Sequence, residues 1–148
     1  MSSIIPSWAC ELTFPSNMER AHSLIDEIMS ELRRMPWSDR ELFAIQLSLE
    51  EGLINAITHG NKGNPEKKVR FSYTLSDEVT RFRIEDEGDG FDVNAVPDPT
   101  SIDNIENASG RGVLLVRSFM TNVTFNETGN VLTMEKVRAR ECQDVKTA

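Results

Sequence analysis

The chain has 148 residues, of which 39% are hydrophobic and 27% charged, a composition typical of an ordinary globular protein. Its formal net charge of -8 argues against nucleic acid as the main partner, because a phosphate backbone needs a positive surface. No apolar run approaches the roughly 20 residues of a membrane span, no signal peptide is recognisable, and the two cysteines form no zinc-binding pattern. We therefore expect one cytoplasmic domain over residues 1–148, with a core at about 8–137 and a polar tail at 138–148.

The first part of the chain predicts an edge strand followed by a helix. Residues 8–14 alternate weakly, and Pro15 stops the strand. Residues 17–35 then carry apolar side chains at helical spacing, with Ser16 as the expected N-cap. His22 lies in this helix, where the alternatives are a partly exposed histidine and the phosphoacceptor of a sensor kinase. The segment is too short for the long helical hairpin of a phosphoacceptor, so we favour the first.

The second helix is predicted to run from about residue 39 to about residue 59. Ser38 and Glu41 have the spacing of a capping box at its start. At about 100° per residue, one apolar stripe faces a core, and a polar row spaced by four lies roughly opposite: Glu51, Asn55 and His59. A carboxylate, an amide and an imidazole in one row indicate either a site or a solvated helix face.

Two strands at 69–75 and 81–86 lead into a glycine-containing acidic turn. By the period of two, Asp86 faces the same way as Phe82 and Ile84, where a carboxylate is costly without a partner. Gly88 and Gly90 then allow a ligand to approach the backbone closely. A calcium loop is excluded because Val96 occupies the position of the bidentate glutamate. An acidic turn without a ligand remains the alternative.

Residues 93–109 lack periodicity and are long enough for a functional lid. They end in Gly110-Arg111-Gly112, a turn that opens a helix, whose free N–H groups suit phosphate. Residues 123–126 and 131–137 predict a closing hairpin. The element order predicts an α+β fold, a two-layer sandwich with helices packed on one face of a mixed, largely antiparallel sheet.

Three motifs together resemble the ATP-binding boxes of the Bergerat-fold superfamily, also called GHKL, which includes gyrase and the sensor histidine kinases. They are Glu51 with Asn55, His59 and Gly60, then Asp86 with Gly88 and Gly90, and then Gly110-Arg111-Gly112. The spacing is most similar to that of the anti-sigma factor serine/threonine kinases. The closing hairpin departs from the superfamily pattern, since Asn130 stands where related ATPases often carry threonine.

The resemblance implies a role for each of these residues. Asp86 accepts a hydrogen bond from the adenine amino group, which favours ATP over GTP, and Gly88 and Gly90 belong to the same ATP-binding turn. Asn55 offers an oxygen to Mg²⁺, and Glu51 is the catalytic base that receives or orients an attacking hydroxyl. His59 either contacts phosphate or caps the helix end. The backbone N–H groups of one further segment bind the ATP phosphates: Gly110, Arg111 and Gly112.

The resemblance also implies a regulatory function. In that family the protein phosphorylates a STAS-type anti-anti-sigma protein on serine or threonine and sequesters a sigma factor. A homodimer is possible, with the first strand and first helix as its surface. Two alternatives stay open: a non-catalytic ATP-gated partner-binding module of the same fold, and the detached catalytic domain of a histidine kinase.

Overall fold

A computed structural model describes residues 8–88 and 116–139 of the chain. The helices and strands are, in chain order, β1 (Trp8–Pro15), α1 (Met18–Leu32), α2 (Asp39–Ile54), a π-helical segment (Asn55–Gly60), β2 (Lys68–Leu75), β3 (Val79–Glu85), β4 (Asn122–Phe125) and β5 (Val131–Val137). Residues 116–119 are also helical.

The strands form one five-stranded sheet in the order β1-β2-β3-β5-β4. All four pairings between the described strands are antiparallel, which agrees with a largely antiparallel sheet, and no parallel pair occurs among these strands. Phe71 at the centre pairs with Leu12 on one side and Ile84 on the other. This register places the apolar residues of neighbouring strands on the same face, because side chains alternate between faces along a strand.

One face of the sheet forms the core with the helices. On β2 the buried residues alternate with exposed or half-buried ones, as the sequence predicted. Phe71, Tyr73 and Phe82 form an aromatic cluster at its centre, with ring centroids 5.4 to 6.4 Å apart. The opposite face carries polar and charged side chains, among them Arg81, which lies 2.9 Å from Glu135. The α+β sandwich predicted from the sequence is confirmed.

The start of α1 differs from the prediction. Asn17, not Ser16, is the N-cap, and its Oδ1 accepts from the N–H of Arg20 at 3.1 Å. Ser16 is buried and donates its hydroxyl to the carbonyl of Lys67 at 2.7 Å. Both residues are good caps by type. Ser16 does not cap the helix because its hydroxyl is bonded to Lys67, just before β2.

The start of α2 agrees with the prediction. Ser38 Oγ accepts from the N–H of Glu41, and the Glu41 carboxylate accepts from the N–H of Ser38. Burial opposes ionisation of Glu41, but these hydrogen bonds and one from the N–H of Ala139 outweigh it and lower its pKa. Just before the cap, the buried Trp37 donates its indole N–H to the carbonyl of Ser76. The N-terminus of α2 is therefore hydrogen-bonded to the segments that follow β2 and β5.

A row of small residues lets α2 approach the sheet closely. The row continues through the π-helical segment at a constant spacing of four residues: Ala44, Ser48, Gly52, Ala56 and Gly60. At Gly52, an added Cβ would lie 2.9 Å from Ile84 Cδ1 and 3.1 Å from Leu132 Cδ2. The helix therefore rests directly on β3 and β5, and the space at this crossing is filled.

The helix changes its winding at Asn55. The N–H of Asn55 is shared between the carbonyls of Glu51 and Gly52, and the six residues Asn55–Gly60 then follow a π-helix. Single π turns are rare and are frequent at functional sites. The prediction that the helical segment extends to about His59 is confirmed in length, but the change of winding was not predicted. Among the described residues, no helix is long and apolar enough to cross a membrane.

Replacing Gly52 by valine tests the close crossing. We expect Gly52→Val to lower the free energy of unfolding by about 2 kcal/mol, since overpacking a filled core typically costs 1–3 kcal/mol. The measurement is urea denaturation. Ser48→Ala, in the same row, is the control: its buried hydroxyl has no hydrogen-bond partner among the described residues, so its removal should leave stability equal or higher. Equal stability of Gly52→Val and wild type would contradict the crossing.

Candidate active site

Asp86 lies at the end of β3, in a largely buried position. Its side chain is 8% exposed, and its Oδ1 accepts from the N–H of Gly88 at 2.8 Å. Burial is the main cause of its raised pKa, with a smaller contribution in the same direction from the charge of Glu85. The hydrogen bond from Gly88 and the charge of Lys67 act in the opposite direction. The sequence expectation of a buried carboxylate on the core-facing side of this strand is confirmed.

The end of the π-helical segment packs against this carboxylate. A Cβ added to Gly60 would lie 2.4 Å from both Cγ and Oδ2 of Asp86. A Cβ added to Gly88 would lie 1.9 Å from the carbonyl oxygen of Gly60. Neither position has room for a side chain, because the obstructing atoms are backbone or a carboxylate held in place. The two glycines therefore let the helix end and the acidic turn meet at Asp86.

Asn61 is the main residue of this cluster that sequence reasoning missed. Its side chain is fully buried, at 0% exposure. The Oδ1 atom accepts from the N–H of Glu87 at 2.7 Å, and Nδ2 donates to Ser16 Oγ at 2.9 Å and to the carbonyl of Lys68 at 3.0 Å. The only signal in the sequence was an asparagine directly after Gly60, which is equally typical of a turn.

Asn130 lies on the other side of Asp86. Its Nδ2 donates to the backbone carbonyl of Asp86 at 3.2 Å, and the N–H of Asp86 donates to the carbonyl of Asn130 at 3.0 Å. Its Oδ1 accepts from Asn126 and Thr128 within the turn between β4 and β5. The residue that departs from the superfamily pattern thus contacts the backbone of Asp86, and its side chain leaves the carboxylate free.

Glu51 and Asn55 are half-buried and one turn apart on the helix that ends at Gly60. Within the described part of the chain, neither side chain makes a hydrogen bond to another residue, so both are available to a ligand. His59 is exposed and makes no hydrogen bond to the helix end there. The structure thus offers no support for a capping role of His59, and its contact with phosphate stays a prediction.

Four of the predicted site residues lie outside the described residues: Gly90, Gly110, Arg111 and Gly112. Their roles stay predictions. The described residues bring together the other two motifs, since the helix that carries Glu51 and Asn55 ends in contact with Asp86.

The chemistry of the described residues fits Mg²⁺ as part of a nucleotide complex. Among residues 8–88 and 116–139, no group of three or more His, Cys, Asp or Glu side chains could hold a metal ion. Mg²⁺ usually keeps several waters and binds through one or two protein oxygens together with phosphate oxygens. Asn55, with an unpaired amide oxygen on a half-buried helix turn, matches that requirement.

A separate concavity of about 530 Å³ lies over the open face of the sheet, where Ser72, Thr74, Arg81 and Arg83 line it. None of the predicted site residues lines it. Its two guanidinium groups are already paired, Arg81 with Glu135 and Arg83 with Glu85. We therefore place the candidate site at Asp86. Among the described residues, no cation lies within hydrogen-bonding distance of this buried carboxylate.

The helix end, the acidic turn and the antiparallel sheet agree with the Bergerat class of ATP-binding domains that the sequence motifs resemble. A family model described as "Histidine kinase-like ATPase domain" matches residues 14–136. The chain belongs to this family, and family membership implies that it binds ATP.

Two named relatives and one solved structure are similar to this chain. The chain is 35% identical to the anti-sigma F factors of Bacillus velezensis and Bacillus subtilis over 102 residues, which cover 65% of this chain and 69% of each relative. Its fold is similar to the crystal structure of the RsbU and RsbW domains of Rv1364c from Mycobacterium tuberculosis, with a TM-score of 0.58 and 13% identity. That match covers 91% of this chain and 34% of the other, so this chain spans about a third of the longer protein.

Replacing Asp86 by asparagine separates its cost in stability from its use in binding. Because burial raises the pKa of Asp86, the folded state binds this proton more tightly than the unfolded state, and stability falls as pH rises from the ordinary aspartate range through the raised pKa. We expect Asp86→Asn to equal or exceed wild type in stability at pH 7, by up to about 1 kcal/mol, and to bind ATP at least roughly tenfold more weakly.

Urea denaturation at several pH values and nucleotide titration measure the two effects. The stability difference should disappear below about pH 3.5, where both states are protonated. Asp77→Asn, in the exposed turn between β2 and β3, is the control and should change neither quantity. An Asp86→Asn protein less stable than wild type at pH 7 would mean that the carboxylate has a stabilising partner.

Proposed function

We propose that this chain is an anti-sigma factor with ATP-dependent serine/threonine kinase activity. In this proposal it phosphorylates a STAS-type anti-anti-sigma protein, which inactivates that protein, and it sequesters a sigma factor from RNA polymerase. Mg²⁺-ATP is the phosphoryl donor, and the protein acts in the bacterial cytoplasm. The observation that carries the proposal is the contact of Gly60 with Asp86, which joins the helix of Glu51 and Asn55 to the adenine-binding acid.

Glu51 is the residue that favours a kinase over a binding module. A module that only binds ATP needs the acid for adenine and donors for phosphate, but it needs no base. Glu51 lies one helical turn before Asn55, the proposed metal ligand, and its half-buried carboxylate has no other hydrogen-bond partner in the described part of the chain. A carboxylate in that position can orient a substrate hydroxyl for in-line attack on the transferred phosphoryl group.

The proposed partners have different support. The two Bacillus relatives are named anti-sigma F factors, which supports a sigma factor as the sequestered partner. A STAS-type substrate comes from the resemblance to the kinase family. We include a homodimer in the proposal, with β1 and α1 at its surface. Among the described strands β1 pairs only with β2, so no described strand covers its outer edge, which supports pairing with another chain there.

The nucleotide preference tests the site. Adenine offers an amino donor to the Asp86 carboxylate, whereas guanine presents a carbonyl there and would set acceptor against acceptor. We expect ATP to bind at least roughly tenfold more tightly than GTP, since an unpaired buried polar group costs about 1–3 kcal/mol. Isothermal titration calorimetry with both nucleotides measures the preference. Comparable affinities would remove Asp86 from base recognition.

Replacing Glu51 tests the chemistry. Glu51→Ala should bind ATP with wild-type affinity and lose at least roughly a hundredfold in phosphotransfer, the lower range for a general base. Glu50→Ala is the matched control, because Glu50 is the adjacent half-buried glutamate of α2, and in the described part of the chain its side chain accepts a hydrogen bond only from Gln46. It should retain phosphotransfer.

Capture from native lysate with Mg²⁺-ATP, followed by mass spectrometry, identifies the partners. A STAS-type protein phosphorylated by wild type and Glu50→Ala but not by Glu51→Ala would support the kinase. Acid-stable phosphate would indicate serine or threonine, and acid-labile phosphate would indicate a histidine kinase domain. A sigma factor held equally by all three proteins, with no phosphate transferred, would make the protein an ATP-gated binding module.

A further inference from the structure

The buried amide of Asn61 joins three parts of the structure that are distant in sequence. It follows the π-helical segment directly, and its own backbone N–H donates to the carbonyl of Ala56 at 2.8 Å. Through its side chain it reaches Ser16 at the start of α1, Lys68 at the start of β2, and Glu87 in the acidic turn.

The bond to Glu87 has a particular consequence for the acid beside it. Glu87 is the residue directly after Asp86, so its N–H belongs to the peptide group that joins Asp86 to Glu87. The 2.7 Å bond from this N–H to Asn61 Oδ1 fixes the orientation of that peptide group. Gly60, the residue before Asn61, is at the same time packed against the Asp86 carboxylate. Asn61 therefore holds the backbone beside Asp86, next to the point where Gly60 packs against the carboxylate.

We infer that Asn61 is a positioning residue for nucleobase recognition, which acts by holding the Asp86–Glu87 peptide through its Oδ1 atom. The inference rests on the proposed nucleotide site. Asn61 itself touches no nucleotide, since its side chain is fully buried and its polar atoms are used within the protein. The competing explanation is that Asn61 only stabilises the fold, and the two differ in what happens to base discrimination.

Ser16 provides the matched comparison. Ser16→Ala removes one partner of the Asn61 Nδ2 group and the bond to the Lys67 carbonyl, yet leaves the bond between Asn61 Oδ1 and Glu87 in place. Asn61→Ala removes all three hydrogen bonds of the Asn61 side chain. Both substitutions lower stability, because each leaves buried polar groups unpaired. Only the second releases the peptide next to Asp86.

The experiment measures affinity for ATP and for inosine triphosphate, whose base carries a carbonyl in place of the adenine amino group. Each protein is titrated well below its melting temperature, with circular dichroism as the check of folding. We expect Ser16→Ala to keep the wild-type ratio of the two affinities within about twofold, and Asn61→Ala to reduce it roughly tenfold. A wild-type ratio in folded Asn61→Ala would overturn the inference and leave Asn61 a purely structural residue.

Asn61→Asp serves where the alanine variant does not fold. It keeps an oxygen acceptor for the N–H of Glu87 and loses the two donations from Nδ2, so reduced stability with a retained affinity ratio is the expected result. A lost ratio in a folded Asn61→Asp protein would overturn the inference. Failure of the proposed site is distinguishable, because then wild type itself binds neither nucleotide or binds both equally.

Discussion

The close contact between one face of α2 and the sheet is the constraint on which the candidate site depends. The contact is possible because every fourth residue of this face is small, from Ala44 to Gly60. A row spaced by four drifts around an α-helix by about 40° per step, since a turn has 3.6 residues. The π-helical segment has wider turns, because its hydrogen bonds span five residues. It therefore counters the drift and returns Gly60 to the sheet side, where it meets Asp86.

The backbone on both sides of Asp86 is held by uncharged side chains. Two amides fix the backbone around Asp86: Asn130 bonds to its carbonyl, and Asn61 bonds to the following N–H. A lysine or arginine in place of Asn130 could also donate to the Asp86 carbonyl, but its charge would pair with the carboxylate and neutralise it. Neither residue could replace Asn61, because neither has an acceptor for the N–H of Glu87. An amide fixes the peptide groups and, among the described residues, leaves the carboxylate with the single hydrogen bond from Gly88. A ligand donor then meets a carboxylate that is positioned but not neutralised.

Local patterns in the sequence were sufficient for much of this architecture. The capping box of Ser38 and Glu41 depends on residues three apart, and the alternation of β2 depends on neighbours two apart, so both could be predicted. The burial of Asp86 followed from the same alternation. The predicted N-cap of α1 was wrong because Ser16 and Asn17 are both good caps by type. The Ser16 hydroxyl instead donates to the carbonyl of Lys67, 51 residues away, and this contact cannot be seen in the local sequence.

The features that could not be predicted are those imposed by tertiary contact. Nothing in the residues 55–60 distinguishes a π-helix from an α-helix, because the winding is favoured by the fit of Gly60 against an acid 26 positions later. Asn61 was equally hidden, since a turn asparagine and a buried one are the same letter until its partners are known. Burial raises the pKa of Asp86, and keeping this carboxylate ionised at neutral pH therefore lowers the stability of the folded state. A buried carboxylate with no cation within hydrogen-bonding distance among the described residues is poorly explained by folding alone, and the base recognition proposed above would account for it.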